Sequence, residues 1–337
     1  MTQEHPFAQY VRTLGKGPNL SRPLTFEEAA DAGRLILADA VEPVQLGAFL
    51  CLLRVKTETP EEVAGLALAA RESLALAARE SLGTPAQPGL ADVDWPTYAG
   101  KARHLPYFLL SALLLAENGV RVFLHGAAGH TEGRVYSNEA LAALGLPLPT
   151  TLNEAAVLLR ERNFAFLDLA DLSPRLSELM ALKSVLGVRS PLHTVVRHLN
   201  PFGAPCEVVG VTHPPYRTIH REAARLLGCP SFVVWKGEGG EAERRPEKAC
   251  ETQGLVNNSP VEEEWPALPG LLPPAADLEM PLARLAALWR GEVSDDYAAA
   301  VVQSTAALVL KAIGRASTQD EALAQARQAW EKHSALR

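Results

Sequence analysis

No apolar run in the chain approaches the roughly 20 residues that a membrane span requires, and the richest segment, "YFLLSALLLAENGV", reads as helical. The amino-terminal stretch "MTQEHPFAQYVRTLGKG" lacks the apolar core of a secretory signal. These two absences give a cytoplasmic protein with no membrane partner as the expectation. The four cysteines, Cys51, Cys206, Cys229 and Cys250, form no C-x-x-C pair, which argues against a zinc knuckle, a redox motif or a disulfide framework. They read as buried thiols. The phosphate-loop signature G-x-x-x-x-G-K-[ST] is missing, because Gly100-Lys101 is followed by Ala102, and H-E-x-x-H and G-x-S-x-G are missing too. "GEGGEA", Gly237 to Ala242, fits G-x-G-x-x-A formally, but Pro246 follows too soon for the helix that such a site opens. It reads as a charged loop.

What is present is the composition of an ordinary globular protein, 47% hydrophobic and 21% charged. A length of 337 residues suits two domains. The net charge of −7 argues mildly against a dedicated nucleic-acid binder, because phosphates are bound by basic patches. Its distribution is uneven. From Lys183 to Arg225 six basic residues stand against two acids, a local balance of +4, with four histidines besides. From Glu238 to Asp296 five basic residues stand against thirteen acids, a balance of −8.

Residues 1–88 read as a small all-α domain. "LTFEEAADAGRLILADAV" opens with Thr25 and Glu28 in capping-box spacing, "EPVQLGAFLCLLRVKT" has Pro43 in its first turn, and "TPEEVAGLALAARESL" starts at Thr59-Pro60. "LALAARES" occurs twice in succession, which lengthens the third helix without defining a solenoid. "GTPAQPGLADVDWP" marks a boundary. Beyond it, strands "VRVFLHG", "FAFLDL", "EVVGVT" and "PSFVVWKG" alternate with helices, the pattern of a mainly parallel sheet covered on both faces. The acidic, proline-rich "SPVEEEWPALPGLLPPAADLEMP" reads as a long surface excursion, and two helices, Asp295 to Ile313 and Thr318 to Lys332, close the chain.

The stretch "VFLHGAAGHTEGR" runs from a strand into a glycine-rich turn whose backbone N–H groups could cradle an anion. Together with "SNEALAALGLPL", "LKSVLGVRSPLHTVVRHLNPFGAP" and "VVWKGEGGEAE", it resembles the anthranilate phosphoribosyltransferase family of glycosyltransferases over nearly the whole chain. The resemblance implies a small helical domain, residues 1–88 with returning helices at about 174–200, and a larger α/β domain, 89–173 and 201–337. It also implies phosphoribosyl pyrophosphate and metal ions in the cleft between them.

The departures from the family are at the chemistry. "DVDWPTYAGK" stands where the family has Gly-Thr-Gly-Gly-Asp, so Trp95, Pro96 and Tyr98 occupy positions where backbone would touch phosphate. "HLPY" replaces Asn-Ile-Ser-Thr, and Lys183 and Ser173 replace an Arg and a His of the acceptor site. His125 and Gly126 are kept, and Glu241 keeps one carboxylate of the metal pair beside Arg244 and Arg245. These replacements are similar to the YbiB-type branch, which implies a catalytically silent homodimer that binds DNA or RNA without sequence preference. Lys183, Arg189, Arg197, Lys236, Arg244, Arg245, Lys101 and Arg103 are the expected nucleic-acid contacts. His125, Gly126 and Glu241 are remnant catalytic positions, and no metal or cofactor is expected. Mg²⁺ enters only under the alternative, a phosphoribosyl or glycosyl transfer to an unknown acceptor by a rewired site.

Structural readings stand beside these. His125 is either a hydrogen-bonded core histidine or a ligand. Arg217, Arg221 and Arg225 share a helix face that solvent alone could explain. Lys101 and Arg103 could cap a helix start region or simply point into water. Trp235 and Tyr107 read as core, and His193 and His198 as structural histidines. Leu46, Phe49 and Leu50 are the apolar residues expected to pair two copies of the helical domain.

Overall fold

A computed structural model describes every residue except 1–3, 83–88, 130 and 278. The expected domain boundary falls largely on 83–88 and so lies outside the described residues. Four helices open the chain: α1 (Ala8–Gly15), α2 (Phe26–Leu37), α3 (Pro43–Lys56) and α4 (Pro60–Leu82). Thr25 caps α2 with Glu28 reaching back, the reciprocal box read from the sequence, and a cap of this kind contributes about 1 kcal/mol. The duplicated "LALAARES" lies entirely within α4.

Seven strands form one sheet in the order β3-β2-β1-β4-β5-β6-β7. They are β1 (Val93–Thr97), β2 (Val122–Gly126), β3 (Phe164–Asp168), β4 (Cys206–Val211), β5 (Ser231–Lys236), β6 (Cys250–Val256) and β7 (Ser259–Trp265). β1 to β5 pair in parallel, and β6 and β7 add an antiparallel hairpin. An all-helical amino-terminal part and a mostly parallel sheet flanked by helices are therefore the architecture, as the alternation of apolar strands and helices implied.

Two segments differ from the sequence reading. "VDWPT" is not a loop but β1, in the middle of the sheet. Pro96 is tolerated there because β4 pairs with β1 only over Val93 and Asp94, so the missing N–H has no partner to lose on that side. The start of the acidic excursion, "SPVEEEW", is β7, joined to β6 by Asn257-Asn258, both at positive φ as tight hairpins require. Glu262 and Glu264 are exposed, and Glu263 between them is half-buried and paired with Lys311 at 2.5 Å, so acidity and strand are compatible.

Side chains alternate across the strands. Val93, Trp95, Val122, Leu124, Phe164 and Phe166 pack on one face with helix α5 (Tyr107–Glu117) and the closing helices Asp296–Ala312 and Gln319–Ala335. Phe123, Ala165 and Leu167 point to the other face, into a core shared with α1 to α4 and with helix Pro174–Ala181. Trp235 and Tyr107 lie in the first core. Among the described residues, no helix is long and apolar enough to cross a membrane.

Candidate functional site

The carboxyl ends of the parallel strands converge on the loop from Gly237 to Arg245. This loop dives under the sheet end because glycines make room for it: a Cβ on Gly237 would lie 1.6 Å from the Glu241 carbonyl oxygen, and one on Gly210 would lie 2.3 Å from the Ala242 nitrogen. Seated there, Glu241 is 1% exposed. Its Oε1 accepts hydrogen bonds from the amides of Ala99 at 2.7 Å and Gly100 at 2.6 Å. Oε2 is buried without a partner, and burial pushes the carboxyl above its usual range despite the positive charge of Arg197. The N–H groups that follow β1 are thus occupied by a carboxyl oxygen of the chain's own.

His125 lies on β2 with its ring fully buried. Nδ1 is 2.6 Å from the Tyr98 hydroxyl, Nε2 is 3.1 Å from Asp94 Oδ2, and Phe123 stacks on the ring. A histidine with both nitrogens in hydrogen bonds and both neighbours buried is a core histidine here. Gly126 follows it, where a Cβ would meet the Thr97 carbonyl oxygen at 2.3 Å.

The expected cationic contacts divide into three groups. Lys101 and Arg244 are inside the protein, a correction to their expected place at a binding surface. Lys101 is 0% exposed and donates to Glu243 and, at 3.1 Å, to Glu238. Burial alone would lower its pKa, but the two carboxylates outweigh that and hold it raised. Arg244, 1% exposed, lies over the Trp265 ring and donates to the Pro266 carbonyl.

Lys183, Arg189 and Arg197 form the second group and are half-buried. Lys183 and Arg189 both reach Thr131 Oγ1, at 3.5 and 3.1 Å, beside a cleft of about 400 Å³ lined by Ala127, Ala128, Gly129 and Met180. Arg197 approaches the Gly240 carbonyl at 3.5 Å. Burial, followed by the charge of Arg134, lowers the pKa of Arg189, so the two guanidiniums are electrostatic neighbours.

The third group surrounds an open concavity of about 560 Å³ at the ends of β4 and β5. Arg103, Lys236 and Arg245 line it, and so do Arg134, Arg217 and Lys248, for which the sequence gives no sign of that position. By spacing alone Arg217 belongs to a solvated helix face; only the packing of that helix against β6 turns it to the concavity. Arg134 is fixed by the carbonyls of Ala99 and Gly100, at 2.6 and 3.2 Å. Among the described residues, no ion pair engages Arg103, Lys236 or Lys248.

The sequence and the fold have known counterparts. Residues 8–74 match the model of a glycosyl transferase family, helical bundle domain. An uncharacterized protein of Aquifex aeolicus is 31% identical over 246 residues, 73% of this chain and 71% of its own length. The anthranilate phosphoribosyltransferase of Thermus thermophilus is 30% identical over 222 residues, 66% of this chain and 65% of that enzyme. Its crystal structure superposes with a TM-score of 0.77 at 25% identity, covering 99% of this chain and 96% of that one. The chain belongs to the anthranilate phosphoribosyltransferase-like family. An anthranilate phosphoribosyltransferase from Saccharomyces cerevisiae, solved in complex with PRPP and Mg, shares the fold at a TM-score of 0.72 and 15% identity. In this chain Tyr98 closes onto His125, and Glu241 closes onto the amides after β1.

Proposed function

We propose that this member of the family binds DNA or RNA without sequence preference, as a cytoplasmic homodimer, and does not transfer a phosphoribosyl group to anthranilate. The observation that carries the reading is the concavity itself, where six basic side chains converge and only two of them, Arg217 and Arg245, are in ion pairs among the described residues. Arg134 links it to Arg189 and Lys183, so the basic surface continues toward the cleft. Cations arranged along a groove bind a phosphate backbone by releasing its counterions, whatever the bases.

Catalytic silence is supported by Glu241. A pyrophosphate would need the amides of Ala99 and Gly100, which already donate to its carboxylate. Mg²⁺ does not fit the donors either: one oxygen of Glu241 holds two N–H groups, and the positive charges of Arg197 and Lys101 act on the same carboxyl. Among the described residues, no group of three or more His, Cys, Asp or Glu is placed to hold a metal ion. The dimer is supported by an apolar stripe on α3, exposed at Val44, Ala48 and Val55. Two copies would double the phosphate contacts available to one strand.

The alternative, transfer to another acceptor around His125, Lys183 and Glu241, draws on the family's enzymes at 30% identity. One paired titration separates the readings. Calorimetry with phosphoribosyl pyrophosphate plus Mg²⁺ is expected to give no saturable isotherm, while a labelled oligonucleotide binds and is released by salt. A one-to-one phosphoribosyl pyrophosphate isotherm, with no oligonucleotide binding, would favour the transferase.

A further inference from the structure

The concavity at the ends of β4 and β5 is open and lined mainly by basic side chains. Its volume, about 560 Å³, is that of an enclosed ligand site (about 300–1,000 Å³), yet it is open on one side and walled by Arg103, Arg134, Arg217, Lys236, Arg245 and Lys248. Three carboxylates share the lining, Glu238, Glu251 and Glu264. Two are committed to neighbours: Glu251 pairs with Arg217 at 2.7 Å, and Glu238 with Lys101 at 3.1 Å and His104 at 2.8 Å. Gly237 and Gly239 add only backbone to the lining, and no aromatic ring lies among the lining residues.

The cations stand at two depths. Lys236, Lys248 and Arg103 are exposed at the rim, whereas the Arg217 side chain is only 14% exposed and Arg134 is half-buried against the carbonyls after β1. A duplex carries its phosphates on the outside of a stiff rod and can touch only the rim. A single strand is flexible enough to turn inward and reach the recessed guanidiniums as well. Sites for single strands usually join a basic groove to rings on which bases stack, and this lining supplies the groove alone.

Building on the nucleic-acid reading above, we propose that the concavity takes the sugar–phosphate backbone of a single strand, backbone inward and bases outward, and so selects single strands over duplexes. A phosphate entering it competes with Glu251 for Arg217 and meets Lys236 and Lys248 on the way in. Base identity does not enter, and neither does the presence of a base.

The test is fluorescence anisotropy on the full chain with three probes of equal length: a labelled single strand, the same strand in duplex, and an abasic strand. The single and abasic strands are expected to bind within about threefold of each other, and the duplex at least about tenfold more weakly. Lys236→Glu with Lys248→Glu should weaken the single strand by about tenfold or more and flatten the log–log salt dependence by about 0.7 for each phosphate no longer neutralised. If the double reversal fails to fold, judged by its circular dichroism, Lys236→Gln with Lys248→Gln carries the same comparison. Duplex binding as tight as the single strand overturns the inference and leaves the nucleic-acid reading standing, as does loss of binding by the abasic strand alone. Failure of all three probes to bind removes both.

Discussion

Arg244 and Arg245 are adjacent in the chain and opposite in environment. Arg244 is enclosed by Trp265, the Pro266 carbonyl and the helix Asp296–Ala312, whose Thr305 accepts its amide at 3.0 Å. Two of its guanidinium nitrogens are buried without a hydrogen-bond partner, and burial lowers its pKa. Arg245 is 40% exposed at its side chain and pairs with Glu247 at 2.8 Å. Arg244→Glu would bury an anion against a carbonyl and should cost more than about 3 kcal/mol in urea denaturation. Arg245→Glu should change stability by less than about 1 kcal/mol and weaken oligonucleotide binding. A double reversal would therefore mix unfolding with weakened phosphate binding, so only the two single variants separate surface from core. Nothing in "ERRPEK" distinguishes the two arginines, because the residues that do so lie about 20 and 60 positions further on.

At the scale of the element, α3 shows why a helix apolar on every side is ambiguous. Leu46, Phe49 and Leu50, expected to meet a second copy, turn inward and are at most 8% exposed. The opposite stripe, Val44, Ala48, Cys51 and Val55, recurs at i, i+4, i+7 and i+11, with Val44 79% and Val55 87% exposed. Val185, also 79% exposed, lies close by, since a Cβ placed on Gly47 of α3 would meet Leu186 Cδ2 at 3.7 Å. If this stripe forms the dimer, Val44→Asp with Val55→Asp should yield a monomer by sedimentation at micromolar concentration with an unchanged melting temperature. Leu46→Asp should instead unfold the helical part. An undisturbed dimer in the double variant would exclude the stripe.

Across the whole molecule, the helical part is joined to the sheet by a buried charge network. Arg71 of α4 donates to Glu207 of β4 at 2.6 Å and to the His198 carbonyl at 2.7 Å. His198 lies 3.1 Å from Glu207 and 2.8 Å from His220. Burial opposes the charge on Glu207, but Arg71 and His198 prevail and hold its pKa at about 2. Burial, aided by the charges of His198 and Arg197, keeps His220 well below 6.5. Both lowered values have the same sign for stability: the unfolded chain takes up protons first as the pH falls. Stability should therefore decline in two stages, the first as the pH falls below about 6.5 and the second between about 4.5 and about 2. The second stage amounts to about 3 kcal/mol by linkage. Urea midpoints measured from pH 7 to 3 should show the first stage and the onset of the second, and Glu207→Gln should shrink the second while leaving the first. A single-stage profile in the wild type would contradict this account.

Periodicity and caps sufficed for the helices of the amino-terminal part, for four of the parallel strands and for the two closing helices, because those signals are local: apolar spacing and a side chain three residues from the amide it caps. The wording of "LKSVLGVRSPLHTVVRHLNPFGAP" sufficed for the family. β1 was hidden by Pro96 and β7 by its glutamates, since a strand that departs from composition is recognised only by the neighbours it pairs with. The site depended still more on the tertiary structure. Glu241 meets Ala99 and Gly100 across more than 140 residues, and Lys101 meets Glu243 across a similar span. The sequence by itself determined which charges the chain carries; which of them are neutralised inside and which face an incoming phosphate was decided by packing, because the cost of a charge depends on its distance from water and from its partner.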